Sequence, residues 1–425
     1  MQKVYNYKDN IKVISVIFFY FFPFAFFLSS GFFNFYFMLN LILGFSCLFI
    51  LKKKIIFDKS DLLLLLFFSS VIISSFLNVL TSKNYEILLK SIALIRFFLL
   101  FLLLRNFFFY RLIELEKISI IFFFSSLALG LDLIIQHIFG KDIFGYYPLY
   151  DRYAGFFNYE AIAGSYLQKF LILSSLFLFF LKRKVVLIVF FFIFVTISIM
   201  LSIDKLPFLI SLIIIILYAF LINKRFLFSI FFIFLFFFTI YNYHTVVNHR
   251  YKNFFEKVKF FISSNLSNKQ FIEKNEIEKS NELTIHHKYL FDGYDSIFKS
   301  SFILISQNFF IGYGHKSFVI LTCKEHKKEN LRCTTHPHNI YLEIMITSGI
   351  VGLIFFIFFI LRVFVFLLKN KNEKIFLLFL IIAIVELFPI RPYGSIFTTI
   401  NGSIFWFLIA LISLSKLKKK YIISN

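Results

Sequence analysis

Apolar residues along this chain fall into long runs that short polar breaks separate. A run of about 20 apolar residues is the length of helix that crosses the hydrocarbon core of a bilayer. The pattern therefore predicts twelve membrane-spanning helices. They are placed near residues 12–29, 33–51, 61–80, 87–104, 118–139, 161–181, 185–203, 207–222, 225–241, 339–367, 375–389 and 400–415.

One polar stretch, residues 242–338, is far longer than the other breaks. It separates residues 1–241, with predicted spans one to nine, from residues 339–425, with spans ten to twelve and a polar tail. Its second half spaces aromatic residues as an amphipathic helix on a membrane surface would. The sequence thus predicts an all-α, polytopic membrane protein with about twelve spans and one large loop.

The distribution of Lys and Arg predicts the orientation of these spans, because short cytoplasmic loops are enriched in both residues. One set of breaks collects most of the cations, at 3–12, 52–59, 105–117, 182–184, 224–225, 369–374 and 416–420. The opposite short breaks hold only Lys83, Lys141, Arg152, Lys205 and Arg391. We expect both termini to be cytoplasmic and the large loop to face the periplasm.

Composition supports the membrane assignment and weakens any argument from charge. The chain is 60% hydrophobic and contains 71 Phe residues, whereas soluble chains are about 45–50% apolar. Its formal net charge of +22 comes from short clusters between apolar runs. Such clusters are typical of cytoplasmic membrane loops, so membrane lipids are expected partners and a nucleic acid is not.

Two of the three cysteines, Cys323 and Cys333, lie close together in the large loop. Such a pair can form a disulfide if the loop faces an oxidising compartment. Cys47 lies inside an apolar run and is expected to be a buried thiol. No zinc-ligand spacing occurs around the loop histidines, so no metal site is predicted.

His338 lies where the large loop meets the tenth predicted span, between Pro337 and Asn339. The positive end of a helix dipole disfavours the charged form of a nearby imidazole. If His338 lies in the first turn, it would stay neutral and could accept a proton. The alternative is a histidine that only caps the helix. His336 is the nearest competing base, and its spacing favours a different face.

The sequence around His338 resembles the signature of the O-antigen ligase and O-antigen polymerase superfamily. Two further stretches resemble family motifs: residues 152–167, which begin with Arg152, and residues 201–205, in which Lys205 stands where relatives carry Arg. The main signature is a Gly-x-Gly turn, a His-Asn pair, nine residues and Gly-x-x-Gly, matched here by Gly312, Gly314, His338, Asn339, Gly349 and Gly352.

This resemblance implies a glycosyltransferase that uses a lipid carrier at the outer face of the bacterial inner membrane. Its donor would be a glycan on undecaprenyl pyrophosphate, and its acceptor a hydroxyl of lipid A-core or of a growing glycan. The leaving group is already good, so the reaction needs a base and fixed positive charge at the pyrophosphate. No cofactor and no metal are expected.

The base in this interpretation is His338, and the candidate pyrophosphate contacts are Arg152, Lys205 and Arg391. Arg152 is favoured because a guanidinium can hold phosphate through two parallel hydrogen bonds. The alternative for each cation is a side chain that reaches toward lipid headgroups, and it is favoured for Arg391. Arg250 and Lys288 in the large loop are weaker candidates.

Other polar residues near these motifs receive lesser roles. Glu160 is expected to orient a cation or the acceptor, and Asn339 is a candidate substrate contact that can also cap nearby amides. Glu343 is expected to make a structural hydrogen bond, and Arg96 is given no catalytic role. The four signature glycines are interpreted as structural, with Gly349 and Gly352 permitting close helix packing.

Three classes of function fit these observations. The first is lipid-linked glycan transfer, either ligation to lipid A-core, which the signature favours, or polymerisation of repeat units. The second is a flippase for lipid-linked oligosaccharides, which should show repeated halves and ionisable groups near the membrane midplane. The third is a cell-wall synthase of the shape, elongation and division group, which usually has fewer spans.

Overall fold

A computed structural model describes most of the chain. The described residues are 2–28, 30–82, 85–149, 152–158, 160–180, 185–243, 247–249, 251–252, 256, 294–325 and 331–414. Arg250, Lys288, much of the large loop and the tail after residue 414 lie outside them. Within the described part the regular elements are helices, and the one isolated β-bridge joins Leu149 to Arg152.

Each predicted span coincides with one helix except the fourth, 87–104, which covers two helices, Tyr85–Ile92 and Ile95–Phe109. Helix bounds and predicted bounds differ by a few residues. Two additional helices, α11 and α12, belong to the large loop. The helices are α1 (Gln2–Ala25), α2 (Ser30–Ile50), α3 (Lys59–Ser82), α4 (Tyr85–Ile92), α5 (Ile95–Phe109), α6 (Leu115–Phe139), α7 (Ala163–Phe180), α8 (Val185–Leu201), α9 (Lys205–Leu221), α10 (Leu227–Tyr243), α11 (Tyr294–Gln307), α12 (Ser317–Ile320), α13 (Ile340–Lys369), α14 (Lys374–Glu386) and α15 (Thr399–Ser413).

Seven helical stretches among the described residues are long and apolar enough to cross a membrane, so the chain is a multi-pass membrane protein. They lie in α2, α3, α4 with α5, α6, α7, α10 and α13. Three shorter apolar helices, α8, α9 and α15, accompany them. The total of twelve spans and the periplasmic position of the large loop remain predictions.

Aromatic rings and close helix contacts hold this bundle together. Phe22 of α1 stacks on Phe407 of α15 with ring centroids 4.8 Å apart, which is within the favourable range for aromatic pairs. Ser126 of α6 and Ser174 of α7 share a hydrogen bond of 2.8 Å. Because lipid is as apolar as the side chains, helix association in a membrane depends on such packing and on interhelical hydrogen bonds.

Helix α13 begins at a cap and is interrupted about one third of the way along, at Gly349. The side-chain oxygen of Asn339 accepts hydrogen bonds from the backbone N–H groups of Tyr341, at 3.0 Å, and Leu342, at 3.1 Å. At Gly349 the backbone adopts φ +64° and ψ −166°, a combination open essentially only to glycine. A Cβ atom at Gly349 would collide with the backbone carbonyl of Phe310.

The Gly-x-Gly turn packs directly on this interruption. The backbone N–H of Tyr313 donates to the carbonyl of Ile346 at 2.7 Å, and that of Gly314 donates to Thr347 at 2.9 Å. A Cβ at Gly312 would lie 2.6 Å from the backbone nitrogen of Gly349. The two glycine motifs of the signature thus form one contact, in which the turn satisfies carbonyls that the interrupted helix leaves open.

We expect Gly349→Ala to reduce the amount of folded protein in the membrane and to lower its unfolding temperature. The substitution forces a strained backbone, at a cost of about 1–3 kcal/mol, and places a methyl group against Phe310. Fluorescence-detected size exclusion and thermal unfolding in detergent measure both effects. Gly31→Ala is the control, because no atom lies within 4 Å of a Cβ there. Equal behaviour of the two variants would contradict the assignment.

Candidate active site

A cavity of about 400 Å³ collects residues from all three matched sequence stretches. Arg152 comes from the segment before α7, Lys205 from the start of α9, and His338 from the residue before the α13 cap. Among the described residues that line it are also Asp204, Tyr294 and Tyr393. The structure therefore brings together the candidate base and two of the three candidate cations.

His338 has an unusual backbone and a partly buried side chain. Its φ is +55°, a left-handed conformation that few non-glycine residues adopt. Its carbonyl accepts a hydrogen bond of 2.8 Å from the backbone N–H of Tyr393. The imidazole of His338 packs edge to face against the ring of Tyr294, with the two ring centroids 5.2 Å apart. These contacts fix the imidazole at the cavity wall.

His338 does not lie in the first helical turn, so the condition for the helix-dipole argument is not met. Asn339 is the N-cap of α13, so His338 precedes the helix, where the dipole is weaker. The pKa of His338 is nevertheless lowered, and the cause is burial. The conclusion that the imidazole is neutral is retained, but its physical reason changes from helix dipole to desolvation.

His336 lies against His338, with ring centroids 4.0 Å apart, so its ring does not point to a remote face. Its Nδ1 shares a hydrogen bond of 2.9 Å with the hydroxyl of Thr335. Burial, followed by the charges of His338 and Lys316, lowers the pKa of His336 to about 4. His336 lines a second, smaller cavity and is not part of the wall of the larger one.

Arg152 forms an ion pair with Asp204, a residue that the sequence interpretation did not assign. The Arg152 side chain is 36% exposed, whereas that of Asp204 is 6% exposed. Nη2 of Arg152 also donates to the carbonyl of Ala161 at 3.3 Å. The guanidinium is thus held from the protein side while it borders the cavity. The signal for Asp204 was its place directly before Lys205, between two apolar runs.

Side chains of α6 hold the segment that carries Arg152. The carboxylate of Asp132 accepts a hydrogen bond from the backbone N–H of Ile143 at 2.9 Å. Gln136 accepts from the N–H of Gly155 at 3.0 Å and donates to the carbonyl of Tyr146 at 3.1 Å. These contacts from a helix explain how a segment without regular structure can place a guanidinium accurately.

Arg391 does not line the cavity, and the favoured alternative for it, a cation that reaches toward lipid headgroups, is wrong because Arg391 is 9% exposed. Its Nη1 donates to the carboxylate of Glu386 at 2.9 Å, and its Nη2 donates to the side-chain oxygen of Gln168 at 2.7 Å. Its guanidinium lies over the ring of Tyr393 at 4.8 Å. Arg391 thereby supports Tyr393, a wall residue, and direct contact with pyrophosphate stays a prediction.

Sequence reasoning missed the polar groups inside the helices around Arg391. Lys169 of α7 is buried, places its ammonium 4.5 Å from the centroid of the Tyr393 ring and donates to Asn401 at 3.3 Å. Glu386, at the end of α14, accepts a hydrogen bond of 2.6 Å from the hydroxyl of Tyr393. Ionisable groups therefore also lie inside the helices and are not confined to the loops. Isolated polar residues within apolar runs were the available signal.

Two predicted substrate contacts, Glu160 and Asn339, do not line the larger cavity. Glu160 is exposed. The side chain of Asn339 is engaged within the protein, since its oxygen caps α13 and its nitrogen donates to the carbonyl of Pro389 at 2.7 Å. The cap therefore fixes His338 relative to the segment after α14, and substrate binding by either residue stays a prediction.

Cys323 and Cys333 form a disulfide in the structure, and Cys47 is a buried free cysteine. Cys333 lies three residues before His336, and the bridge joins it to Cys323 in the segment that follows α12. It therefore restrains the chain that leads into the histidine pair.

We expect alkylation of denatured, unreduced protein to modify Cys47 alone. Reduction should lower the unfolding temperature, because the crosslink contributes roughly 2–3 kcal/mol on the chain-entropy model. Mass spectrometry of alkylated peptides and thermal unfolding with and without reductant measure these effects. A Cys47→Ser variant should show no labelling before reduction and the same response to reductant. Modification of all three cysteines in the unreduced protein would rule out the bridge.

Comparison with known proteins gives a family match over part of the chain. Residues 163–357 match the family model described as O-antigen ligase. This segment contains Lys205, His338 and the glycine motifs, whereas Arg152 and Arg391 lie outside it. No curated protein and no solved structure matches the chain. The segment 163–357 belongs to the O-antigen ligase superfamily, whose chemistry is glycosyl transfer at a membrane.

Proposed function

We propose that this protein transfers a glycan from undecaprenyl pyrophosphate to a hydroxyl of lipid A-core at the periplasmic face of the inner membrane. The observation that carries the proposal is the cavity shared by His338, Arg152 and Lys205. A base and two cations on one wall are what this reaction needs. The family match supports glycosyl transfer, and the preference for ligation over polymerisation rests on the His-Asn and Gly-x-x-Gly signature.

In the proposed reaction His338 is the general base. Because burial lowers its pKa, the imidazole is neutral at pH 7 and can take the proton of the acceptor hydroxyl. The hydroxyl oxygen attacks the anomeric carbon as the bond from that carbon to the pyrophosphate oxygen breaks. The bonding electrons leave with the pyrophosphate, so negative charge grows where cations are required.

Arg152 and Lys205 supply this positive charge in the proposal. The carboxylate of Asp204 offsets one of the two charges, so the three side chains together are cationic by one unit. The Lys205 ammonium is a point charge, whereas the arginine guanidinium is a planar group with several hydrogen-bond donors. The proposal therefore assigns the directional hydrogen bonds with phosphate to Arg152. No metal and no cofactor takes part in the proposed reaction.

The proposed topology has twelve spans, cytoplasmic termini and a periplasmic loop over residues 242–338. The distribution of cations supports it, because the cavity residues Arg152 and Lys205 come from the cation-poor set of breaks. Reactivity of single cysteines toward an impermeant thiol reagent in whole cells tests this placement. A cysteine at exposed Asp295 should react from outside, and one at Lys371 should not.

Gel analysis of lipopolysaccharide from a deletion strain tests the function. Loss of all long chains, with accumulation of lipid-linked polymer, is the expected result for a ligase. A surface glycan truncated to one repeat would assign polymerisation instead. Purified protein in proteoliposomes, supplied with lipid-linked glycan and lipid A-core, should form the joined product. Movement of the donor across the bilayer without transfer would assign a flippase.

A further inference from the structure

A second cavity of about 30 Å³ lies on the other side of the histidine pair from the larger cavity. Its wall includes His336, and His336 contacts His338, which lines the larger cavity. The other polar wall residues are His315, Lys316, Thr335, Glu343, Thr347, Ser395 and Thr398. A small space with polar groups in its wall therefore lies beside the histidine that contacts the candidate base.

The wall of this cavity contains a polar atom that needs a partner. Within the described part of the chain, Nε2 of His336 is buried and makes no hydrogen bond to the protein. A buried polar atom left without a hydrogen bond is destabilising. A polar cavity larger than about 10–15 Å³ can hold a water molecule, provided that the water finds two to four partners. This cavity is large enough, and several polar side chains in its wall are candidate partners.

Glu343 is the carboxyl group in the wall, and the fold fixes its position. It lies one turn after the Asn339 cap on α13 and is 6% exposed. One carboxylate oxygen accepts a hydrogen bond of 3.0 Å from the backbone N–H of Ile396. The carbonyl of Ile396 in turn accepts from the indole N–H of Trp406 at 3.0 Å. The carboxyl group is therefore rigid but does not reach the larger cavity.

The charged and titratable groups around the pair divide between the two cavities. His315, Lys316 and Glu343 face His336 across the smaller cavity. The groups that share the larger cavity with His338 are Arg152, Asp204, Lys205, Tyr294 and Tyr393. In this set, Glu343 is the one acidic group on the His336 side among the described residues, and the Lys316 cation there disfavours a protonated His336.

We propose that the smaller cavity binds water that connects His336 to Glu343, and that Glu343 is a positioning residue for the base His338. This inference rests on the proposed function. The water supplies the hydrogen bond that Nε2 of His336 requires, and the Glu343 carboxyl group orients it. Glu343 then stabilises the positive charge that the histidine pair gains, without touching donor or acceptor.

The proton balance is simple. The acceptor hydroxyl gives its proton to His338, which becomes an imidazolium. The imidazolium returns this proton to solvent after the glycan bond has formed, so each transfer frees one proton. Glu343 is unchanged over the cycle. No oxidant, metal or additional reactant is required.

Glu343→Gln tests the proposal, because glutamine retains an acceptor for the N–H of Ile396 but cannot carry negative charge. We expect kcat to fall about tenfold or more while KM stays the same. The acid limb of the kcat–pH profile should move to lower pH by about one unit, because the imidazolium loses a stabilising charge. Asp295→Asn removes an exposed carboxylate of α11 and serves as the matched control. A Glu343→Gln profile with an unmoved limb overturns the proposal.

Two measurements do not depend on glycan transfer. A wild-type cryo-EM map that resolves ordered water should show density within hydrogen-bond distance of His336 Nε2, and absent density overturns the water site. Hydrogen–deuterium exchange at the histidine C2 position reports the pKa of each imidazole by tandem mass spectrometry. The pKa of His336 should fall in Glu343→Gln and stay unchanged in Asp295→Asn. If wild-type protein transfers no glycan, the proposed function fails while these results still decide the water site.

Discussion

Replacing His338 with asparagine should lower glycan transfer at least about 10²-fold, the usual contribution of a general base, while the membrane level stays normal. Asparagine is the informative substitution because it tolerates positive φ better than most residues. The backbone at His338 has φ +55°, so a loss of activity in His338→Asn reports the missing base. His338→Ala should lose transfer equally. The measurement is product formation from lipid-linked glycan in proteoliposomes.

The control for His338 is His249→Ala, which removes an exposed histidine outside the larger cavity. The wild-type pH profile gives a second check. Burial lowers the pKa of His338 below the ordinary histidine value of about 6.5. Activity that requires the neutral imidazole is therefore retained at pH 6.5 and is lost only at lower pH. Full-length surface glycan in a deletion strain that carries His338→Ala would reject the base assignment.

Replacing Arg152 with alanine should lower transfer about 10²–10³-fold, as expected when a donor to developing negative charge is removed. Arg152→Lys should retain part of the activity, because it keeps the charge but loses the fork that holds phosphate. Steady-state transfer rates at saturating donor separate the two variants. Arg332→Ala, which removes an exposed cation outside the cavity lining, is the control.

The ion pair between Arg152 and Asp204 provides a test that separates a structural role of Arg152 from a role in transfer. Arg152→Ala leaves the buried carboxylate of Asp204 without its cation, which is destabilising, so the amount of folded protein should fall as well. Adding Asp204→Asn removes that charge. We expect the double variant to regain the folded amount but not the transfer activity. Recovery of transfer in the double variant would show that Arg152 serves structure alone.

Much of the helical order could be predicted because membrane-spanning segments are encoded locally. An apolar run of sufficient length specifies a helix whatever its neighbours are, so each predicted span falls on a helix. Local sequence also predicted that Asn339 can cap the helix and that Gly349 has a structural role. Crossing itself could not be predicted for every helix, since α8, α9 and α15 are shorter than a typical span.

The candidate site was predictable residue by residue and unpredictable in its pairings. Motif spacing selected His338, Arg152 and Lys205, and the structure places all three at one cavity. Motif spacing cannot reveal that Asp204 forms an ion pair with Arg152, or that Glu386 forms a buried ion pair with Arg391. Such contacts join residues that are distant in sequence, or that meet only where helices end, so they depend on tertiary packing.

The interrupted α13 also limits how this protein can move. If the Tyr313–Gly314 turn were to separate from α13, the backbone carbonyls of Ile346 and Thr347 would lose their hydrogen-bond donors in an apolar environment, which is energetically unfavourable. The turn and the first part of α13, up to Gly349, must therefore move together as one rigid unit. Any opening of the larger cavity therefore has to hinge elsewhere along the chain.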